Sequence, residues 1–382
     1  MPSCATPAEM IASVRSAVIS DLHLGTLPEN DLLRLPAMRE RLFEAAAEVD
    51  RLVVLGDLVE LREAPVGHSL ETVYEFVEHV NEAFAGRQVV IAAGNHDHPL
   101  VAAWLESRRL RPKPQALPVD SCVKAPRSGP LGAIVRRMPD CEVMLAYPGL
   151  RLREDVYAMH GHYLDLHMTV PTLETIAISL FARIEGHDPD EFTSPDQYEA
   201  VLAPIYSLIY SAVQGRPTTA RPLASGASVR MWGAMHPDSG DLVSRARAIA
   251  LRRGLVPAAA ALLNAAGLGP FGTEMTGPAL RRAGIAAMCR VIERLAIDAD
   301  WVIYGHTHRT GPLPEEGDWR APTGARLMNC GSWTWAPQLA GGSEGTSPYW
   351  PGGVVIVDEA GPPRLVRVLE DLPESKMPLP RG

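Results

Sequence analysis

The 382-residue sequence lacks several features that mark specialised classes of protein. Its five cysteines are odd in number and form no CxxC pair, which argues against a disulfide framework and against a thiolate zinc site. No stretch approaches the roughly 18 consecutive apolar residues of a membrane span. The N-terminal segment has no basic start followed by an apolar core, so export is not expected. These features together favour a cytoplasmic location.

Positive charge is also scarce. The chain carries 36 Lys and Arg against 45 Asp and Glu, a formal net charge of −9. Long nucleic acids are therefore disfavoured as partners, because binding them depends on a basic surface. One segment, LVSRARAIALRRG, is locally basic through Arg245, Arg247, Arg252 and Arg253. A solvated helix face is the favoured interpretation of this segment, and a surface for an anionic ligand is the alternative.

The sequence does have the composition of an ordinary globular enzyme, 46% hydrophobic and 21% charged. From residue 14 to about residue 110, short β-rich runs alternate with helical patterns, which predicts βαβ units. Strand patterns return after residue 300. Gly/Pro-rich turns separate them and no helix is predicted between them, which suggests antiparallel pairing. The roughly 140 residues between His162 and Trp301 have apolar residues at helical spacing, which predicts a helical insertion.

Polar residues follow the apolar runs at five places. The segments are Asp21-Leu22-His23, Gly56-Asp57, Gly94-Asn95-His96-Asp97, His160-Gly161-His162 and Gly305-His306-Thr307-His308. The carboxyl ends of parallel strands meet at one edge of a sheet, so these side chains are expected to lie together. Carboxylate, amide and imidazole groups in this number suit two adjacent divalent ions.

In this order, the motifs DLH, GDLVE, GNHD, HGH and GHTH resemble the signature of the calcineurin-like metallophosphoesterases. The resemblance runs from Val14 to Val357 apart from the helical insertion. It implies an α/β fold, a four-layer αββα sandwich of two mixed sheets with a helical cap. The implied domains are residues 14–164 and 298–371 for the metallophosphoesterase domain, 165–297 for the cap and 372–382 for a flexible tail.

The family pattern implies a set of ligands for each of two divalent ions. It assigns Asp21, His23, Asp57 and His308 to the first ion, and Asn95, His160, His306 and a bridging Asp57 to the second. Manganese is the expected metal, with iron, zinc, nickel or cobalt as alternatives. His160 is preferred to His162 because it directly follows an apolar strand. His162 and Asp165 are then expected to contact the substrate or the ligands.

The resemblance also implies the chemistry. A metal-bridging hydroxide would attack phosphorus in line with the leaving group. His96 would protonate the leaving oxygen or stabilise the developing charge, and Asp97 would orient that imidazole. The implied activity is hydrolysis of a phosphoester bond in a small phosphorylated or lipid-linked substrate.

Three alternatives for the function stay open. Glu60 in GDLVE, together with MHGH and NCGSW, leans toward the UDP-2,3-diacylglucosamine pyrophosphate hydrolases, whose helical cap binds acyl chains. Many of those enzymes have Arg where this chain has His96, a departure that favours a more general phosphoesterase, including a nucleotide phosphodiesterase or nuclease. The third alternative is a non-catalytic scaffold with the same fold. It is less favoured because such a protein would be expected to lose metal ligands, and every motif position is filled here.

The cap itself allows two interpretations. Its apolar side chains could face lipid and bring the cap into peripheral contact with a membrane, or they could form the cap's own core, which is favoured. The residues concerned are Leu173, Ile176, Ile178, Leu180, Ile205, Leu208 and Ile209. The oligomeric state is left open.

Overall fold

The structure is a computed structural model that describes residues 14–217, 249, 251–274, 276–340, 342–343 and 345–378. The described residues form two compact units. The first contains 14–161, 206–217 and 297–378, and the second contains 162–205 and the described residues from 249 to 296. Arg245 and Arg247 of the basic segment lie outside the described residues, as do the side chains of Arg252 and Arg253.

The first unit contains a seven-stranded mixed sheet in the order β13-β12-β1-β2-β3-β5-β4. Its parallel centre consists of β1 (Ser16–Ile19), β2 (Arg51–Leu55), β3 (Gln88–Ala92) and β5 (Glu142–Ala146). Its antiparallel edges are β4 (Cys122–Lys124), β12 (Gly353–Val357) and β13 (Arg364–Arg367). The central strands are apolar and almost wholly buried, as expected for parallel strands covered on both faces.

A second mixed sheet of six strands has the order β10-β11-β8-β7-β6, with β9 paired to β11. Its strands are β6 (Gly149–Arg153), β7 (Val156–Met159), β8 (Trp301–Tyr304), β9 (Thr310–Gly311), β10 (Trp319–Arg320) and β11 (Arg326–Cys330). The neighbours β7, β8 and β11 run parallel. The side chains of Val53 and Val90 from the first sheet cluster with Leu150 and Ile303 from the second, so the two sheets face each other.

Helices cover the other face of the seven-stranded sheet. They are α1 (Pro36–Ala45), α2 (Val66–Ala83), α3 (Pro99–Arg109), α4 (Gly129–Val135) and the short α9 (Pro337–Ala340). Helix α2 shows why: Val73, Phe76, Val77 and Val80 recur at helical spacing and are all buried in one cluster with the sheet. This layer packs against β1, β2 and β3, whose ends carry three of the five motifs.

The second unit is helical. It contains α5 (Leu173–Ile184), most of α6 (Pro195–Gln214), α7 (Val256–Ala265) and α8 (Gly277–Arg294). Thr172 caps α5 by accepting a hydrogen bond from the Thr175 backbone N–H at 3.1 Å. Among the described helices, none is both long enough and apolar enough to cross a membrane.

The predicted α/β fold with two mixed sheets is confirmed. The described part of the predicted tail contains a helical turn, Glu374–Lys376, and Met377 is buried in the main core. Residues 379–382 lie outside the described residues. The interpretation of residues 165–297 as a cap stays a prediction.

The core between the sheets yields a stability prediction. Leu150 is 2% exposed there, whereas Leu110, at the end of α3 in the same unit, is 75% exposed. We expect Leu150→Ala to lower the free energy of unfolding by about 2–5 kcal/mol because it leaves a cavity. Leu110→Ala, the matched control, should change it by less than about 0.5 kcal/mol. Urea unfolding followed by tryptophan fluorescence tests this, and equal effects of the two substitutions would contradict the packing described here.

Candidate metal centre

Backbone hydrogen bonds draw the motif-bearing strand ends together. The backbone N–H groups of Leu22 and His23, after β1, donate to the Asp57 carbonyl oxygen at 3.0 and 2.8 Å. In the second sheet, the Gly305 N–H donates to the His160 carbonyl oxygen at 2.9 Å. The His306 N–H donates to the Asp21 carboxylate at 2.9 Å and so joins the ends of both sheets. The predicted ligands therefore come to one place.

The backbone at this place is unusual. Seven described non-glycine residues have positive φ, and five of them are predicted ligands. These five are Asp21 (57°), His23 (45°), Asp57 (53°), His306 (66°) and His308 (54°). The left-handed region is uncommon for residues with a Cβ, and Asp and His tolerate it better than most. Such a concentration of strained conformations is typical of functional sites.

One group of donors consists of Asp21, His23 and His308. His308 Nε2 lies 3.2 Å from Asp21 Oδ1 and 3.1 Å from His23 Nε2. His23 Nε2 lies 3.9 Å from Asp21 Oδ1. Three potential ligand atoms thus converge on one point.

A second group consists of Asp57, His160 and His306, with Asn95 beside them. His160 Nε2 lies 3.2 Å from both Asp57 Oδ2 and Asn95 Oδ1, and His306 Nδ1 lies 3.2 Å from Asn95 Oδ1. Asp57 Oδ2 also lies 3.6 Å from His23 Nε2 in the first group. A single carboxylate oxygen therefore faces both groups, as a bridging ligand would.

The separations between donor atoms fit metal coordination. Bonds of about 2.0–2.2 Å from N or O to one ion place two ligand atoms roughly 3–3.6 Å apart. Most of the distances within each group, at 3.1 or 3.2 Å, fall in this range. The residues present therefore suit a divalent cation in each group.

The amide of Asn95 can serve the second group in only one orientation. With Oδ1 turned inward, it faces the two imidazoles and can ligate a cation. With the amide reversed, the nitrogen would donate to Asp57 at 3.2 Å and the oxygen would accept from Arg62 Nη1 at 2.7 Å. A bound cation favours the first orientation because only the oxygen carries a lone pair to donate.

Other hydrogen bonds fix which nitrogen each buried imidazole presents. His160 Nδ1 lies 2.9 Å from the Leu55 carbonyl oxygen, to which it can donate, so Nε2 is left for the second group. His23 Nδ1 lies 3.1 Å from Glu60 Oε2, so its Nε2 is left for the first group. Partners of this kind orient histidine ligands and increase their basicity.

Glu60 also holds His96. Its Oε2 atom lies 2.6 Å from His96 Nδ1, and the His96 backbone N–H donates to Asp57 Oδ1 at 2.8 Å. Glu60, His23 and His96 meet the geometric requirements of a further metal group. The distances from the shared carboxylate oxygen to the two rings are those of hydrogen bonds, which explains the cluster without an ion.

The Asp97 carboxylate has other hydrogen-bond partners than the His96 ring for which it was predicted. It accepts hydrogen bonds from the backbone N–H groups of Gly94 (2.6 Å) and Leu58 (2.7 Å), whereas the His96 ring is hydrogen-bonded to Glu60. Burial, reinforced by the nearby charge of Asp57, raises the pKa of Asp97 to about 6. Asp97 therefore stabilises the loop that carries Asn95, and Glu60 is the carboxylate that orients His96.

The buried carboxylate of Asp57 and the imidazoles around it shift each other's pKa values. Burial disfavours the ionised Asp57, but the imidazoles of His160, His96 and His23 outweigh it and hold the pKa of Asp57 well below its usual value. Burial likewise opposes protonation of His160, yet Asp57 raises the pKa of that imidazole to about 9. The carboxylates thus stay anionic, which is the state that binds cations.

Burial separates an inner and an outer side of this centre. Asp21, His23, Asp57, Asn95 and His160 are buried, whereas His96, His306 and His308 are partly exposed. The accessible side is therefore lined by imidazoles. His162 and Asp165 are buried in the helical turn His162–His167 of the second unit, and their predicted contacts to substrate or ligands stay a prediction.

The sequence interpretation did not assign roles to three residues that support this centre. Glu60 orients two imidazoles, Arg62 lies beside the Asn95 amide, and Asn329 donates to the Gly305 carbonyl oxygen at 2.8 Å. For Glu60 a signal existed: it follows Asp57 by three residues in GDLVE, close enough to reach the same strand end.

Glycines leave room for the ligands, and this generates a prediction. A Cβ at Gly94 would lie 2.2 Å from Asp57 Oδ1 and 2.6 Å from His160 Nε2. We expect Gly94→Ala to displace one or both ligands and to reduce bound metal severalfold, measured by mass spectrometry of the purified protein. Gly67→Ala is the matched control, because a Cβ there meets no atom within 4 Å and Gly67 lies in α2. Unchanged metal content in Gly94→Ala would contradict the assignment of the second group.

Comparisons with known proteins agree with this geometry at the level of the family. The sequence model of the calcineurin-like phosphoesterases matches residues 14–205, half of the chain. No curated protein matches the sequence. The UDP-2,3-diacylglucosamine hydrolase branch stays a prediction.

Similar solved structures include a cold-active protein-tyrosine phosphatase of a psychrophilic Shewanella species. It is 15% identical, with 94% of this chain and 78% of that chain covered and a TM-score of 0.31. A point mutant of a cold-active protein-tyrosine phosphatase is 14% identical with the same coverage and TM-score. At such low TM-scores the solved structures carry no argument, so the assignment to a family depends on the match to the sequence model. On that match, the chain belongs to the calcineurin-like phosphoesterase family.

Proposed function

We propose that this protein is a dinuclear metal-dependent hydrolase of phosphoester bonds. The observation that carries the proposal is the position of Asp57, whose Oδ2 atom faces His160 Nε2 at 3.2 Å and His23 Nε2 at 3.6 Å. A carboxylate between two donor groups supports two adjacent ions, with manganese as the expected metal. Two ions held there would polarise a phosphate ester and acidify water.

The chain's own residues would then define how a substrate approaches. The buried carboxylates form the floor of the centre, and the partly exposed His96, His306 and His308 form its accessible side. A phosphate group is expected to enter from that side because the floor is closed by backbone and side-chain contacts. Arg62, beside the Asn95 amide and 5.7 Å from the ring centre of Tyr206, adds a buried positive charge that favours an anionic substrate.

His96 is suited to transfer a proton. With Nδ1 held by Glu60 at 2.6 Å, the ring keeps a fixed orientation and Nε2 remains available to a leaving oxygen. A ring that carries a proton on Nε2 can donate it to that oxygen. We infer that His96 is the catalytic acid and that Glu60 is a positioning residue.

A lipid-linked pyrophosphate is the second candidate substrate. It is favoured by exposed apolar side chains in the second unit, including Leu180 and Ile184 of α5. His96, in place of the arginine of many hydrolases that act on such lipids, favours a simpler phosphoester. Hydrolysis assays with a UDP-linked lipid and with bis-p-nitrophenyl phosphate distinguish the two.

Removal of metal tests the proposed function directly. Protein purified without chelators should contain about two divalent ions per chain. Treatment with EDTA should lower hydrolysis of bis-p-nitrophenyl phosphate at least about 100-fold, because no side chain here replaces an ion as the electrophile. Addition of Mn²⁺ should restore the rate. Full activity in a metal-free protein, or no activity on diesters, monoesters and pyrophosphates with metal present, would overturn the proposal.

The His96–Glu60 pair yields a second test. At saturating Mn²⁺, His96→Ala should lower kcat by about 10²–10⁴-fold, as expected for loss of a general acid. Glu60→Gln should lower it less. The double variant should be no slower than His96→Ala, because saturating Mn²⁺ offsets a loss of metal affinity through the other Glu60 contact, to His23, and leaves only the contribution through His96. His79→Ala, an exposed histidine on α2, is the control. Loss of metal from His96→Ala would show that His96 is a ligand, and a much slower double variant would show that Glu60 acts elsewhere.

A further inference from the structure

Two different groups compete for the side-chain amide of Asn95. With Oδ1 turned inward, the amide oxygen lies 3.2 Å from both His160 Nε2 and His306 Nδ1 and belongs to the second group of metal ligands. The amide nitrogen then lies 2.7 Å from Nη1 of Arg62. Both of these nitrogens carry hydrogens and neither has a lone pair with which to accept a hydrogen bond, so this contact is unfavourable.

The reversed amide satisfies Arg62 but removes a ligand. The Asn95 oxygen then accepts a hydrogen bond from Arg62 Nη1 at 2.7 Å, and the amide nitrogen donates to Asp57 Oδ2 at 3.2 Å. Both are hydrogen bonds to charged groups, which are stronger than those between neutral groups. In this orientation a nitrogen without a lone pair faces the second group, so Asn95 cannot bind an ion there. The amide oxygen thus serves either Arg62 or a cation.

Burial strengthens this competition. Asn95 is 2% exposed and Arg62 is 9% exposed, so water can replace little of what either side chain loses when the amide turns. Arg62 is also anchored at two points. Its backbone N–H donates to Glu60 Oε1 at 2.7 Å, and its guanidinium lies 5.7 Å from the ring centre of Tyr206. The guanidinium is therefore held beside the amide.

We propose that Arg62 competes with the second ion for the Asn95 amide oxygen, so that the second group binds its ion more weakly than the first group and fills last. This competition rests on the proposed dinuclear function, since it requires an ion at the second group. An ion that binds there has to displace the hydrogen bond between Arg62 and Asn95. The first group, formed by Asp21, His23 and His308, contains no amide that has to turn. Arg62 therefore determines metal affinity as well as favouring an anionic substrate.

Titration of the full chain with Mn²⁺, after treatment with EDTA and removal of the chelator, tests the proposal without an assay of hydrolysis. The electron paramagnetic resonance signal of unbound Mn²⁺ reports each binding step, and the parent protein should bind two ions in separate steps. Arg62→Met removes the donors and should tighten the weaker step about tenfold or more. Arg39→Met is the matched control. Arg39 is buried in the same unit but donates to the carbonyl oxygens of Leu33 and Arg34, so this variant should bind both ions like the parent.

A second background separates competition for the amide from simple charge repulsion. Asn95→Asp replaces the amide by a carboxylate, in which one oxygen can bind the ion while the other accepts from Arg62. Arg62→Met should therefore tighten the weaker step by less than about twofold when it is combined with Asn95→Asp. If Arg62→Met does not give a folded protein by circular dichroism, Arg62→Ala takes its place in both backgrounds.

Three outcomes would overturn the proposal. They are equal affinity of the parent protein for its two ions, unchanged binding in Arg62→Met, and equal tightening by Arg62→Met in the Asn95 and Asn95→Asp backgrounds, which would show that Arg62 acts only by repelling the ion. A parent protein that binds two ions and hydrolyses bis-p-nitrophenyl phosphate, with no effect of Arg62→Met, would reject this proposal alone. A parent protein that binds a single ion would reject the proposed dinuclear function as well.

Discussion

The carboxylate of Asp57 is the constraint on which the centre depends. Its two oxygens face different elements: Oδ2 lies beside His160 and His23, and Oδ1 accepts from the His96 backbone N–H at 2.8 Å. The carbonyl oxygen of the same residue accepts the two N–H groups that follow β1. One residue thus links the ends of β1, β2 and β3 to both donor groups.

This arrangement has an energetic cost that metal binding can offset. Five ligand candidates occupy left-handed backbone conformations at about 1 kcal/mol each. Their sum of roughly 5 kcal/mol is comparable with the lower end of the net stability of a domain. Ions that bind only the folded chain stabilise it by about 4 kcal/mol at a thousand times their dissociation constant. The strained strand ends are therefore consistent with a protein that folds together with its ions.

The sequence predicted the fold class and the convergence of the motifs because both depend on local patterns. Apolar runs fixed β1, β2, β3 and β8, and the polar residues after them had to meet where parallel strands end. Pairing was harder: β8 and β11 run parallel, although their spacing suggested an antiparallel pair. Strand β6, GLRLR, was not predicted, although its alternation of Leu and Arg is the pattern of a half-buried strand.

Glu60 shows what the sequence could not settle. Asp97 is next to His96 in the chain and Glu60 is 36 residues away, yet only Glu60 has a hydrogen bond to that ring in the three-dimensional structure. Asp97 is turned toward the backbone N–H groups of Gly94 and Leu58, whereas Glu60 reaches His96 from the segment after β2. Because a single Glu60 oxygen serves His23 and His96, the residue that orients a metal ligand also orients the proposed acid. Metal affinity and proton transfer are thereby coupled, and a substitution at Glu60 is expected to affect both.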